Sequence, residues 1–237
     1  MAEFVIYQTD ERMFFLRNEL GFAPSKRTHI FAPNIVLGVK NLDGVLEGDV
    51  VIGGKLDQEA SALLNSMDVA HHNLLDDEIF QAVNARLTAE GAIGVILSRS
   101  LISFEDMNAL VIGFGRTGSA MVRILRALDV GKLTVATTAS IRPALAFADA
   151  VVGSNGFDFS QYDLVINTVP ERIIADNEVL TFKDHAIYVD LASKPALNLD
   201  FAKYLGIDAE IYPALPAKTA PKSAGEAIAD YVRRTML

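Results

Sequence analysis

Three groups of residues in this chain have the types and spacing to do chemistry. The first is Ala109-Leu-Val-Ile-Gly-Phe-Gly-Arg-Thr-Gly118, a short apolar run that enters a turn with Gly113, Gly115 and Gly118. An apolar-periodic helix carrying Met121, Val122, Leu125 and Leu128 leaves it. Strand, glycine turn and helix make a phosphate loop. Gly113 permits the tight turn, Gly115 lets backbone N–H groups approach a pyrophosphate, and Gly118 lets the helix pack close to the strand. The N–H groups at the helix start, around Arg116 and Thr117, favour an anion. A dinucleotide is the expected ligand.

The second group lies where the following strand, residues 133–138, runs into Thr137-Thr138-Ala-Ser140-Ile-Arg142. A cofactor of the NAD type usually meets an Asp or Glu there, which binds the ribose 2′-OH. No acid is present, whereas Thr138, Ser140 and the forked donors of Arg142 suit a 2′-phosphate. NADP is therefore the expected cofactor and NAD the alternative. The competing reading makes Arg142 a solvated helix residue. The third group sits at two more strand ends, residues 163–168 and 187–191. Ligands of open parallel sheets bind outside the carboxyl ends of strands. Asn167, Thr168, Val169 and Pro170 after one strand, and Asp190, Ser193 and Lys194 after the other, thus face the nicotinamide end of a cleft. Asp190 reads equally well as a buried structural carboxylate.

These residues need a frame that points strand ends at one place. Residues 4–7 read as a strand, Thr9 or Asp10 as a helix cap, and Phe14, Phe15, Leu16 and Leu20 as the buried side of the helix that Gly21 closes. Residues 29–37 read as an extended segment broken by Pro33, residues 49–52 as a strand, and Asp57 as the start of a helix; residues 69–72 read as a last short strand. Residues 75–97 are helical and apolar towards their C-terminal half, where Gly91 and Gly94 each cost about 1 kcal/mol of helix propensity. Close packing or a break near Thr88-Ala-Glu-Gly91 is expected, with Asn84, Arg86, Thr88 and Glu90 near a cleft or, alternatively, on an ordinary core helix facing water. Residues 143–150 suit a short helix and residues 209–212 a strand. A proline-rich loop from Pro213 then carries Lys218 and leads, past Lys222, into a final helix from about Ser223. The expected class is α/β: a Rossmann-type doubly wound parallel sheet plus a smaller N-terminal α/β domain joined by a long helix. The expected boundaries are 1–74 for the small, substrate-side domain, 75–100 for the connecting helix, 101–212 for the dinucleotide domain, and 213–237 for a loop and helix packing back across both.

Composition removes several functions. The chain has 237 residues, 51% of them hydrophobic, and a formal net charge of -9. That charge has the wrong sign for nucleic acid or an anionic membrane surface. With no Cys, thiolate nucleophiles, disulfides and Cys-based metal sites are absent. His71 and His72 are adjacent, and strand neighbours point to opposite faces, so no metal site is expected. No segment reads as a signal peptide or approaches the roughly 18 apolar residues of a membrane span, and the expected compartment is the cytoplasm.

Taken together, Gly113-Phe-Gly-Arg-Thr-Gly118, Ile166-Asn-Thr-Val-Pro170, Asp190-Leu-Ala-Ser-Lys-Pro195, Pro213-Ala-Leu-Pro216 and Ala220-Pro-Lys-Ser-Ala-Gly225 resemble the A subunit of dipicolinate synthase, the enzyme of spore-forming bacteria that makes pyridine-2,6-dicarboxylate. Thr88-Ala-Glu-Gly91 is similar to that family's Thr-x-Glu-Gly, and Asp10-Glu-Arg12 to its start. The resemblance runs from about Asp76 to the C-terminus, and the segment before the connecting helix is shorter than the family's by about one βα unit. The family's Pro-Gly-Leu-Pro-Gly reads Pro213-Ala214-Leu215-Pro216-Ala217 here. The resemblance implies oxidation of a hydroxytetrahydrodipicolinate-type cyclic dicarboxylate with hydride transfer to NAD(P), in a homo-oligomer that works with a second polypeptide of flavoprotein type. Binding a dicarboxylate needs cations, and Arg12, Lys55, Lys194, Lys218 and Lys222 lie near strand ends or helix starts. Asn84, Thr88, Glu90, Lys218 and Lys222 are the expected substrate-binding residues. Lys194, with Asp190 and Ser193, is the catalytic candidate, because burial beside a cofactor lowers a Lys pKa towards neutrality. Surface pairing of Lys194 with Asp190 is the plainer reading. A dinucleotide-binding but catalytically inert regulatory or scaffolding paralogue is the second hypothesis.

Overall fold

The structure is a computed structural model that describes residues 2–138, 147–153 and 155–236. The chain forms two compact units, Met1–Leu87 with Pro216–Leu237, and Thr88–Leu215. In the first, β1 (Phe4–Ile6), β2 (Thr28–Ile30), β3 (Val50–Gly53) and β4 (Ala70–Asn73) make an all-parallel sheet in that order. A strand period of two sorts their side chains. Ile30, Ala32, Val50 and Ile52 face Met13 and Leu16 of α1 (Glu11–Glu19) together with Ile228, Ala229 and Val232 of the C-terminal helix. Phe31 and Val51 point the other way, onto Ala60 and Leu64 of α2 (Gln58–Ser66). Asp57 caps α2 by accepting from Ala60 N at 2.7 Å. Asp10 stands at the corresponding position of α1, but its carboxylate is taken by the Arg12 guanidinium at 2.8 Å and leaves the helix without a side-chain cap. The extended segment expected over 29–37 is strand only to Ile30; Phe31 N still donates to Ile52 O at 2.8 Å and Leu37 bridges Leu56, while Pro33 between them cannot donate to a ladder.

Helix α3 (Glu78–Arg99) is continuous through Gly91 and Gly94. Its residues Ala89, Ala92, Ile93 and Ile96 are small or apolar on one stripe and pack in the core of the second unit. That stripe offsets the glycine penalty, so no break occurs at 88–91. The second unit carries β5 (Asn108–Ile112), β6 (Lys132–Ala136), β7 (Ala150–Val152), β8 (Leu164–Asn167), β9 (Ile187–Asp190) and β10 (Asp208–Ile211). All pair in parallel, in the order β10-β9-β8-β5-β6-β7. This is the doubly wound order of a Rossmann sheet, with the switch point between β5 and β8. Helix α4 (Arg116–Ala127) covers one face through Met121, Val122 and Leu125. The short α5 (Asp176–Val179) and α6 (Leu199–Tyr204) lie with Val179 and Ala202 on the other.

Two expected elements differ. The helix expected over 143–150 ends instead in β7, whose Ala150 and Val151 register with Thr134 and Val135 of β6; residues 143–146 lie outside those described. The loop expected after Pro213 contains α7 (Leu215–Thr219), and α8 (Pro221–Met236) starts two residues early because proline suits the first helical position. Ala214, between β10 and α7, is held at φ 56°.

Candidate functional site

Where β5 gives way to α4, the backbone turns through Gly113 at φ 93°, with Gly113 N donating to Ala136 O at 2.8 Å. A side chain at Gly113 would meet Thr168 Oγ1 at 2.4 Å; one at Gly118 would meet the Gly113 carbonyl at 2.2 Å. These two glycines thus set the turn and the close approach of α4 to β5. Gly115 is different, for the space beside it is open. It caps α4, whose first turn carries no acidic residue to compete for its N–H groups. Thr168 locks the neighbouring strand end, donating from its backbone N and its Oγ1 to Ile112 O, both at 2.9 Å.

A cavity of about 420 Å³ opens over this turn. Gly113, Phe114 and Gly115 form its floor, Thr137 and Thr138 one side, and Thr168 to Glu171 with Ile173 the other. The cofactor residues expected at Gly113, Gly115, Thr138, Thr168, Val169 and Pro170 are therefore brought together within one unit. Arg116, Thr117 and Gly118 continue from the floor into α4. Ser140 and Arg142 lie outside the described residues. Glu171 and Ile173 are the lining residues that the sequence does not single out, although Glu171 directly follows Pro170 at a strand end.

The next strand end is a buried polar network. Asp190 is inaccessible to solvent, and Asn167 Nδ2 donates to both of its oxygens at 3.0 Å. Tyr188 OH, Ala192 N at 3.0 Å and Ala196 N at 2.9 Å donate to it as well. Burial pushes the Asp190 carboxyl up, against the pull of these donors, and burial beside Asp190 pushes the Tyr188 hydroxyl up. Asn167 also clasps the Val169 backbone, donating to its carbonyl at 2.9 Å and accepting from its N–H at 3.0 Å. Asn167 and Asp190 thus hold the two loops in shape from beneath. The loop pinned by Asp190 at 192 and 196 presents Ser193 and Lys194, both exposed. Lys194 therefore lacks the burial expected of it, and Asp190 is too deep to be its surface partner.

The remaining candidates divide between the units. Thr88 and Glu90 belong to the second; Asn84 and Arg86 of α3, Lys218 of α7 and Lys222 of α8 belong to the first. Lys222 lies 3.8 Å from Glu226, one helical turn on. Arg12 is buried and bound to Asp10 and Asn34, so it is engaged within its own unit, while Lys55 is exposed beyond β3. Among the described residues no group of three His, Cys, Asp or Glu could hold a metal ion, and no helix is long and apolar enough to cross a membrane.

No protein-family model matches the chain. It is 27% identical to the dipicolinate synthase A subunit of Bacillus subtilis (strain 168) over 158 residues, 65% of this chain and 53% of that protein. It therefore spans about half the length of this curated relative. The crystal structure of the dipicolinate synthase A subunit from Bacillus halodurans matches it with a TM-score of 0.79 at 23% identity, over 88% of this chain and 79% of that one. The same subunit of the Bacillus subtilis enzyme matches at 0.82 and 20% identity, over 95% and 92%. This chain is similar to the dipicolinate synthase A subunits. The doubly wound fold is common to all of them. D-lactate dehydrogenase from Escherichia coli shares the fold more distantly, with a TM-score of 0.63 at 14% identity, over 95% of this chain and 93% of that one.

Proposed function

We propose that this chain, like the dipicolinate synthase A subunits it resembles, is an NAD(P)-dependent oxidoreductase that oxidises a hydroxytetrahydrodipicolinate-type cyclic dicarboxylate. One observation carries the reading: Gly113 and Gly118 admit no side chain, Gly115 leaves open space, and all three lie at the N-terminus of α4 beside a cavity of about 420 Å³ at the sheet's switch point. A pyrophosphate seated there accepts hydrogen bonds from the exposed N–H groups of residues 114–117. The nicotinamide, when bound, supplies the acceptor for a hydride. The chain's own residues bind and orient. Val169, Pro170 and Ile173 give the cavity an apolar wall. Asn167 and Asp190 act as positioning residues, because both are buried and spend their polar atoms on backbone. Ser193 and Lys194 are the groups they present, and Lys194 either pairs with a substrate carboxylate or passes on the proton released on oxidation. Thr88 and Glu90 are the proposed substrate-binding residues of the second unit, and Asn84, Lys218 and Lys222 those of the first. Self-association and a flavoprotein-type partner belong to the same reading.

The test is direct. Purified protein is titrated with each nicotinamide nucleotide and then assayed for cofactor reduction with a dihydrodipicolinate-type substrate, with and without a flavoprotein partner. Binding with turnover supports the enzyme; binding without turnover under both conditions overturns it in favour of an inert dinucleotide-binding paralogue. Lys194→Ala is expected to lower kcat/KM at least about tenfold, the weight of one charged contact, while leaving nucleotide affinity unchanged.

A further inference from the structure

Asp190 ends β9 out of reach of water, and all five hydrogen bonds it accepts come from neutral groups: Asn167 Nδ2 to each oxygen, Tyr188 OH, Ala192 N and Ala196 N. Backbone and amide N–H groups cannot take a proton in return. Such a ring of donors holds the group as a carboxylate. Hydrogen-bonding dipoles orient around a charge but cancel none of it, so a net negative charge stays inside the unit. It lies close behind the cavity over the glycine turn. Asn167 Nδ2, which donates to Asp190 at 3.0 Å, also donates at 2.9 Å to the carbonyl of Val169, and Thr168 and Val169 line the cavity wall. Lys194 in the 192–196 loop is exposed, so water screens its charge, whereas Asn167, which joins Asp190 to the wall, is as fully buried as Asp190 itself.

A dinucleotide at a doubly wound switch point lies across it, its adenosine half over the strand that follows the phosphate-binding helix and its nicotinamide half over the strands on the other side. Here the first is β6, and the others are β8 and β9. Resting on the dinucleotide reading of this site, we propose that the buried charge of Asp190 makes the nicotinamide half of the site selective for the oxidised cofactor over the reduced one. The oxidised ring carries a positive charge and loses it on accepting a hydride. A fixed negative charge in surroundings of low polarity attracts only the first of these. The same charge lowers the reduction potential of the bound cofactor, so the site takes up the oxidant readily and lets the reduced product go.

Dissociation constants of the oxidised and reduced forms of both nicotinamide nucleotides are measured by calorimetry on the full chain, on Asp190→Asn and on Asn167→Ala. The wild type is expected to bind the oxidised form more tightly. Asp190→Asn removes the charge at nearly constant shape, and it should shift the ratio of the two constants about tenfold toward the reduced form, the order of one charge acting across a protein wall. Asn167→Ala keeps the charge but frees the backbone at Val169, so it should weaken both forms alike and leave the ratio in place. A merely structural Asp190 gives another pattern, both constants raised with their ratio unchanged in Asp190→Asn, and that result overturns the proposal while leaving the dinucleotide site intact. So does a wild type that prefers the reduced form, a comparison that holds even where Asp190→Asn fails to fold. If no form of either nucleotide binds the wild type, the site reading itself falls and this assignment with it.

Discussion

Two small residues near this chain's turns have opposite relations to their backbone. Gly118 has room for no Cβ, because the nearest atom would be the Gly113 carbonyl oxygen at 2.2 Å, a backbone atom that cannot swing aside. Gly118→Ala is therefore expected to destabilise by about 1–3 kcal/mol, the usual cost of overpacking, and to weaken nucleotide binding by lifting α4 from β5. Ala214 is the reverse case. It holds φ 56°, a conformation that costs an L-residue roughly 1 kcal/mol, so Ala214→Gly is expected to gain about 0.5–1 kcal/mol despite glycine's larger unfolded entropy. Urea denaturation of the two variants should show shifts of opposite sign. Both effects were partly legible in advance. The spacing of Gly113, Gly115 and Gly118 assigns each a task, and a family glycine replaced by Ala214 marks a site of strain wherever φ is positive. The roles of Asp190 and Lys194 were not legible, because burial decides between catalysis and structure, and burial belongs to the packed chain. The donors around Asp190 converge only once β8, β9 and the 192–196 loop lie together.

At the level of elements, helix ends tie the first unit together through charge. Asp77 caps α3 by accepting from Phe80 N at 2.7 Å, and Arg234 near the end of α8 donates to both its oxygens, at 3.0 and 2.9 Å. Those bonds from Arg234 hold the Asp77 carboxyl below the ordinary carboxylate value. A carboxyl depressed in the fold binds fewer protons folded than unfolded. Its stabilisation is full above the unfolded pKa, about 3.9, and is lost as pH falls through the lower folded one. The melting temperature of the wild type should accordingly drop more steeply below about pH 4 than that of Arg234→Leu. Scanning calorimetry from about pH 6 to about pH 2 would show this; parallel profiles would deny Asp77 the role. The elements that carried clear periodicity, such as α3, α4 and β5, were readable from their residues. The short ones were not. Three residues of β7 and five of α7 hold too few side chains for a period to register, and they exist because β6 and the preceding turn offer them partners.

At the level of the whole molecule, the sequence order and the packing order disagree. The first unit takes its core from both halves of the chain: Met13 and Leu16 meet Ile228, Ala229 and Val232 on one face of its sheet. Removal of residues 221–236 should strip that core and leave β1 to β4 open to proteolysis, while Thr88–Leu215 persists as a protected fragment that still binds nucleotide. Limited digestion followed by mass measurement of the fragments would decide it, and equal lability of both units would contradict it. Alternating strands and helices make the doubly wound class readable from sequence, but no local pattern announces that the last helix belongs with the first, since nothing in a helical period names its partner.

That shared ownership of the first unit has a consequence for biosynthesis. Emerging from the ribosome, residues 1–87 must wait, with one face of their sheet bare, until the whole of Thr88–Leu215 and then α8 have been translated. The second unit can close as a contiguous piece in the meantime. A nascent chain stalled before α8 is thus a natural client for chaperones that shield apolar surface.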